Sequence, residues 1–202
     1  MAAVTLLETA ALSRSFGGLR AVRDVDFRLA KGEIRAIIGP NGAGKTTLVG
    51  MFSGRVRPSA GTVAFKGEDI TRLGAPARVM QGIVYTFQVT SIYGDLSCYE
   101  NVALAAQRRL MGTFAGRLAL EPELLILDEP TQGLAQGEIA DFCDLVRKIV
   151  KHTTILLIEH NVSVVLELAD TITVMDRGAI IAEGTPGDIE RNPEVQRAYL
   201  GR

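Results

Sequence analysis

GPNGAGKTT, residues 39–47, fits the spacing G-x-x-x-x-G-K-[ST] through Gly39, Gly44, Lys45 and Thr46, and it follows directly on the apolar run Ile34 to Ile38. A strand ending in such a loop turns its backbone N–H groups inward around an anion. Gly39, Gly42 and Gly44 permit the backbone angles and the close approach that this needs. The loop then feeds a helix N-terminus, whose unsatisfied donors and positive dipole end favour phosphate. On this reading Lys45 reaches β- and γ-phosphates, the Thr46 hydroxyl ligates Mg²⁺ and Thr47 donates to an α-phosphate. An ordinary glycine-rich turn has no need of Lys followed by Thr at this spacing. A second constellation is LLILDEPT, residues 124–131, an apolar strand that ends in Asp128 and Glu129. Both carboxylates then emerge at the carboxyl edge of a buried sheet, where α/β proteins bind ligands. Asp128 suits the outer coordination of Mg²⁺, and Glu129 suits a general base that polarises a water aimed at a γ-phosphate. Taken alone, the two acids would equally serve to cap the next helix. TILLIEHN, residues 154–161, delivers His160 to the same edge. By residue type alone, His160 is as readily a satisfied core or surface histidine as a catalytic one.

Positioning three such loops together requires alternating strands and helices, and the sequence supplies them. Val4 to Thr9 and Ala21 to Leu29 read as antiparallel strands, and Lys31-Gly32 turns into the strand Ile34 to Ile38. Thr46 to Ser53 is the helix after the phosphate loop, and Gly54 ends it. Gly61 to Phe65 is a short strand before the turn Lys66-Gly67; Ala75 to Gln81 reads as helix and Ile83 to Phe87 as strand. Cys98 to Arg109 has helical spacing of Val102, Ala105 and Ala106. Leu124 to Leu127 and Thr154 to Ile158 are buried parallel strands flanking the amphipathic helix Gln136 to Lys151. Asn161 caps a helix running to Leu168, and Thr171 to Met175 pairs with Ile180 to Glu183 around Asp176-Arg177-Gly178. Short helices at Pro186 to Arg191 and Pro193 to Leu200 follow. The expected fold class is α/β: a P-loop NTPase core with a mainly parallel sheet and an antiparallel β subdomain.

Bulk composition agrees with that architecture. A chain of 202 residues, 47% hydrophobic, buries one substantial core, and a single domain over 1–202 is expected. A net charge of −1 gives no global attraction to nucleic acid or anionic lipid. Cys98 and Cys143 form no C-x-x-C or metal spacing, which points to a reducing compartment. No apolar stretch approaches the roughly 18 residues that span a bilayer, and no signal-peptide core is present at the start, so a membrane role is expected through a partner.

The ordered set GPNGAGKTT, YTFQ, LLILDEPTQGL, LLIEHN and VMDRGAIIAEGTP resembles the ATP-binding subunits of ABC transporters over nearly the whole chain. It is most similar to the ATPase subunits of branched-chain amino acid importers, through SFGGLRAVRDVDF near the start and AEGTPGDIERNPEVQRAYLG near the end. The resemblance implies an ATP-hydrolysing subunit that powers import of branched-chain or related amino acids, with ATP and Mg²⁺ as cofactors. It implies that Phe16 stacks on adenine with Val22 as an apolar contact, and that Asn41, Gly42, Ala43, Gly44, Lys45, Thr46 and Thr47 form the nucleotide cradle. Gln88 corresponds to the glutamine that touches Mg²⁺ and the attacking water and reports to the membrane subunit. Thr46, Gln88 and Asp128 are the implied metal contacts. Glu129 corresponds to the catalytic base and His160 to the histidine that contacts the γ-phosphate, with Gln88 and Lys45 completing the catalytic set. The implied partners are a second ATPase subunit, identical or not, integral membrane permease subunits and, indirectly, a periplasmic or extracellular substrate-binding protein. Nucleic acid is not among them. The implied location is cytoplasmic, on the inner face of the membrane. A soluble or exporter ATPase of the same family is the alternative.

Two departures qualify the resemblance. The family places a helical subdomain ending in an L-S-G-G-Q-type loop between YTFQ and the Asp-Glu strand, and no such loop exists here. The chain passes from AQRRLMGTFAG to RLALEPELLILDEP, short by roughly 35 to 45 residues, about three average helices. A discontinuity is therefore expected within 110–120, with the helical subdomain truncated: either the segment is deleted, or the 202 residues run past a segment that the polypeptide contains. The second is preferred, because deletion would expose the apolar surface the subdomain covers. A true deletion would favour a nucleotide-binding inactive or regulatory subunit. The smaller departure is Ala135, which stands where many relatives have Asp.

Overall fold

A computed structural model describes residues 4–86 and 122–200. Phe87, Gln88, the helix expected at Cys98 to Arg109 and the discontinuity expected within 110–120 lie outside the described residues. Two strands begin the chain, β1 (Thr5–Phe16) and β2 (Leu19–Ala30). With β4 (Ala60–Phe65) and β5 (Glu68–Asp69) they form an antiparallel sheet in the order β2-β1-β4-β5. Both β1 and β2 outrun the expected segments Val4 to Thr9 and Ala21 to Leu29. The physical reason is a bulge: the register shifts between Thr9 and Leu12, with Ala11 at φ 48° and Asp24 at φ 46°. The alternation of buried residues is thereby broken in the sequence while the pairing continues. Asp26 Oδ1 accepts from Ala11 N at 2.7 Å, and Asp24 Oδ1 accepts from Ser13 Oγ at 2.9 Å, which fixes the irregularity.

The second sheet contains β3 (Ile34–Ile38), β6 (Ile83–Thr86), β7 (Leu124–Asp128), β8 (Thr154–Ile158), β9 (Thr171–Asp176) and β10 (Ala179–Gly184). Their order is β10-β9-β3-β8-β7-β6; every neighbouring pair is parallel except β9 with β10. The expected mainly parallel core sheet and separate antiparallel sheet are both present. Every residue of β3, β7 and β8 is buried, as continuous apolar runs require when both faces of a parallel sheet are covered.

Six helices are described: α1 (Lys45–Phe52), α2 (Ala75–Met80), α3 (Gln136–Ile149), α4 (Val162–Leu168), α5 (Pro186–Glu190) and α6 (Pro193–Leu200). Leu48, Val49, Met51 and Phe52 of α1 share one core with Leu7, Phe27 and Phe65 of the first sheet and Ile37, Ile126 and Leu156 of the second. Helix α1 therefore lies between the two sheets, and the Phe27 and Phe52 rings stack at 5.1 Å. The alternate residues Leu125 and Leu127 of β7 face α3 and α4, where they meet Phe142, Val146, Val164 and Leu168. The predicted cap of α4 is observed, with Asn161 Oδ1 accepting from Ser163 N at 3.1 Å. No helix among the described residues is long and apolar enough to cross a membrane.

Two polar joints fasten α1 and its loop into this frame. Arg78 of α2 is fully buried, and its guanidinium donates to five backbone carbonyls: Met51 and Phe52 at the end of α1, and Ile70, Thr71 and Leu73. Burial pushes its pKa down to about 10. At the other end, Gly178 in the β9–β10 turn donates to Ala43 O at 2.9 Å and accepts from Arg23 N at 2.7 Å. That turn thus ties the phosphate loop to β2.

Candidate functional site

Strands β3, β7 and β8 are parallel, so the segments that leave their carboxyl ends converge on one edge. Gly39 follows β3 with φ 151°, and a Cβ there would stand 2.1 Å from Met175 O. Gly44 opens α1 at φ 101°, where a Cβ would lie 2.3 Å from Ala21 O. The loop therefore packs backbone against backbone at both ends, and only glycine fits. The N-terminus of α1 carries no side-chain cap. Its first residues line a cavity of about 520 Å³ together with Phe16, Leu19, Arg20, Ala21, Glu129, His160 and Arg177. That size lies within the range of small-molecule sites.

Lys45 is only 6% exposed, and its Nζ donates to Gly39 O at 2.7 Å and Pro40 O at 3.1 Å. Burial lowers its pKa, and Glu129 and Asp128 partly oppose that shift. Asp128, at the end of β7, is buried, and burial raises its pKa. Tyr85 of β6 donates its hydroxyl to Asp128 Oδ2 at 2.5 Å, and Arg55 stacks 4.8 Å from the Tyr85 ring centroid. Glu129 Oε1 meets His160 Nε2 at 2.6 Å at the cavity rim, with the Glu129 backbone at φ 50°.

Most of the expected residues are thus brought together. Phe16, Asn41 to Thr47, Glu129 and His160 share one cavity, and Asp128 lies against its Lys45 side. Val22 is a correction: it is fully buried in the core that also holds Leu48 and Val49 of α1, and Leu19, Arg20 and Ala21 form that wall instead. Gln88 lies outside the described residues. Three participants were not read from the sequence. Tyr85 and Arg177 stand inside the strings YTFQ and VMDRGAIIAEGTP, and Glu159 inside LLIEHN, but none of the three was assigned a role there.

Comparison with known proteins completes the description. A family profile described as "ABC transporter" matches residues 22–115, and one described as "Branched-chain amino acid ATP-binding cassette transporter" matches residues 179–202. The high-affinity branched-chain amino acid transport ATP-binding protein LivG of Salmonella typhimurium is 32% identical to the chain, covering 97% of it and 98% of LivG. The chain belongs to the ABC transporter ATP-binding family. Among solved structures, the ABC transporter cassette MJ1267 in its ADP conformation has a TM-score of 0.78 at 26% identity, covering 98% of this chain and 99% of that one. A nucleotide-free cassette from an ABC transporter reaches 0.81 at 26% identity, covering 98% and 100%. Nucleotide binding is a property of this ABC family. The LivG alignment runs over 249 positions although the chain has 202 residues, so tens of positions of that relative have no counterpart here.

The donor set around Asp128 fits Mg²⁺. Among the described residues no cluster of three or more His, Cys, Asp or Glu exists to cage a metal. Mg²⁺ is instead usually held by one or two protein oxygens plus phosphates, and the buried Asp128 carboxylate and the Thr46 hydroxyl are such oxygens.

Proposed function

We propose that the chain is the ATP-hydrolysing subunit of a membrane transporter that imports branched-chain or related amino acids. The hydrolytic part of the reading is carried by the Glu129–His160 pair, 2.6 Å apart, in the cavity lined by Lys45, Thr46 and Thr47, and the import part is supported by the likeness to LivG. The ATP polyphosphate lies in the loop, where Lys45 exchanges Gly39 O and Pro40 O for phosphate oxygens and the first N–H groups of α1 add donors. Phe16, 46% exposed on the adenine side, stacks on the base. Thr46 and Asp128 would hold Mg²⁺, with Gln88 as a further contact on the strength of the family resemblance, and the ion would supply charge neutralisation at the phosphates. Glu129 takes a proton from a water that attacks the γ-phosphorus in line, and the bond to the β-phosphate oxygen breaks to leave ADP and inorganic phosphate. His160 turns from Glu129 to hold the γ-phosphate oxygens. Pairing with a second ATPase subunit and docking on permease subunits at the inner membrane face follow from the family resemblance.

Glu129→Gln tests the assignment. It keeps the shape and removes the base, so ATP binding should be retained while single-turnover hydrolysis falls by about 10²–10⁴-fold. An unchanged rate would remove Glu129 from the mechanism. A second reading, a nucleotide-binding subunit without turnover, is favoured by the tens of LivG positions that lack a counterpart, the L-S-G-G-Q-type loop among the missing features. Its mark would be a wild-type chain that binds ATP and releases no phosphate.

A further inference from the structure

Glu159 is 4% exposed, directly after β8, and its two carboxylate oxygens face two different loops. Oε1 accepts from Thr131 N at 2.9 Å and from Thr131 Oγ1 at 2.5 Å. Oε2 accepts from His160 N at 2.8 Å and Asn161 N at 3.0 Å. The first pair lies in the loop after β7, two residues beyond Glu129; the second includes the backbone of His160. Strand pairing ends just before these loops, with Asp128 opposite Ile158 and Glu129 N donating to Ile158 O at 2.8 Å. Past that point side chains make the join. We propose that Glu159 is a positioning residue for ATP hydrolysis: it clamps the loop after β7 to the loop after β8 and so holds Glu129 and His160 in register. The proposal rests on the hydrolytic roles assigned above to those two residues.

Three observations support the clamp. A buried carboxyl group is costly to desolvate unless its oxygens are hydrogen-bonded, and here each oxygen accepts two bonds. Glu129 sits at φ 50°, a left-handed conformation that a residue with a Cβ adopts only when its surroundings enforce it. Thr131, two residues on, is bonded through both its backbone and its side chain to Glu159, which supplies that enforcement. Finally, the Glu129–His160 contact joins residues 31 apart in sequence and depends on two loops leaving adjacent strands at matched heights. Glu159 spans the same two loops, bonded to Thr131 on one and to the backbone of His160 and Asn161 on the other. It acts on them through the backbone.

Glu159→Gln separates positioning from packing. The amide has nearly the same volume but one acceptor oxygen, so its NH₂ must face either the Thr131 donors or the His160 and Asn161 N–H groups. In the full chain, the expected result is a single-turnover ATP hydrolysis rate about 10- to 100-fold lower, as for a misplacement of about 1 Å, with the dissociation constant for ATP within about twofold of wild type. A readout independent of turnover is the His160 imidazole in ¹H–¹⁵N spectra of the nucleotide-free protein, which should move toward free histidine as the Glu129 contact loosens. Thr131→Val keeps the backbone N–H and loses only the hydroxyl, so a smaller effect of the same sign is expected. Because both changes act on one clamp, the double variant should be no slower than Glu159→Gln alone. Should Glu159→Gln fail to fold, Thr131→Val carries the test. A folded Glu159→Gln with wild-type rate and unmoved His160 resonances overturns the proposal, as do losses that add in the double variant. If the wild type itself does not hydrolyse ATP, the enzymatic reading fails, and the spectra alone decide whether the clamp exists.

Discussion

Lys45 rests on the carbonyls of its own loop, Gly39 and Pro40, so an incoming polyphosphate replaces weak neutral acceptors with charged ones. Hydrogen bonds to charged groups contribute about 1.5–3 kcal/mol each. Lys45→Ala is therefore expected to weaken ATP binding by at least about 10- to 100-fold in a fluorescence or calorimetric titration, and unchanged affinity would refute the cradle assignment. Asp128 gives a prediction in pH. Its pKa is raised by burial, so its contribution to stability is whole below the pKa of the unfolded chain and is lost as pH rises through the folded value. Asp128→Asn should accordingly melt above wild type at neutral pH, with the gap closing as pH falls through that raised pKa toward the ordinary carboxylate range. The same variant should lose Mg²⁺ dependence of ATP binding, a trade of function for stability. That Thr46, Glu129 and His160 meet at one sheet edge was legible because each follows an apolar strand, whereas the γ-phosphate contact of His160 was implied only by the family resemblance. Tyr85 and Glu159 were not legible: a phenol that meets Asp128 from the neighbouring strand, and a carboxylate that joins two loops, become visible only once β6, β7 and β8 are aligned.

At the level of elements, Arg78 closes the end of α1 in a way no periodicity announces. The helix expected at Ala75 to Gln81 is present over Ala75–Met80, but its one buried residue is a cation whose five acceptors come from α1 and from the segment after β5. A planar guanidinium serves diverging carbonyls that an ammonium cannot. Arg78→Lys loses at least one of these charged hydrogen bonds and should thus lower stability by about 1.5–3 kcal/mol, seen as a lower urea midpoint with an unchanged slope. A midpoint within error of wild type would show that the carbonyls find other donors. The parallel strands were read to within a residue, since unbroken apolar runs between turns admit little else. β1 and β2 were read short because a bulge reverses which face is buried, and β5, with two exposed residues, offers no pattern at all.

For the whole molecule, the cavity and the core meet in α1. Nucleotide that binds the start of that helix binds only the folded state, so at about 100 times its dissociation constant it adds about 2.7 kcal/mol. For a domain of this size that is about 5–10 °C, and a calorimetric scan should show the rise in one cooperative transition. A rise confined to a minor early transition would mean that the cavity unfolds apart from the core. Within α1 the division of labour is complete: Lys45, Leu48, Val49, Gly50, Met51 and Phe52 are buried, and the remaining two residues, Thr46 and Thr47, line the cavity. No position in those eight residues is idle. In a saturation-mutagenesis experiment this helix should be the least permissive stretch of the chain. Drift here cannot be absorbed at the surface, and a lineage that loosens its grip on phosphate must find its compensating change in the strands on either side.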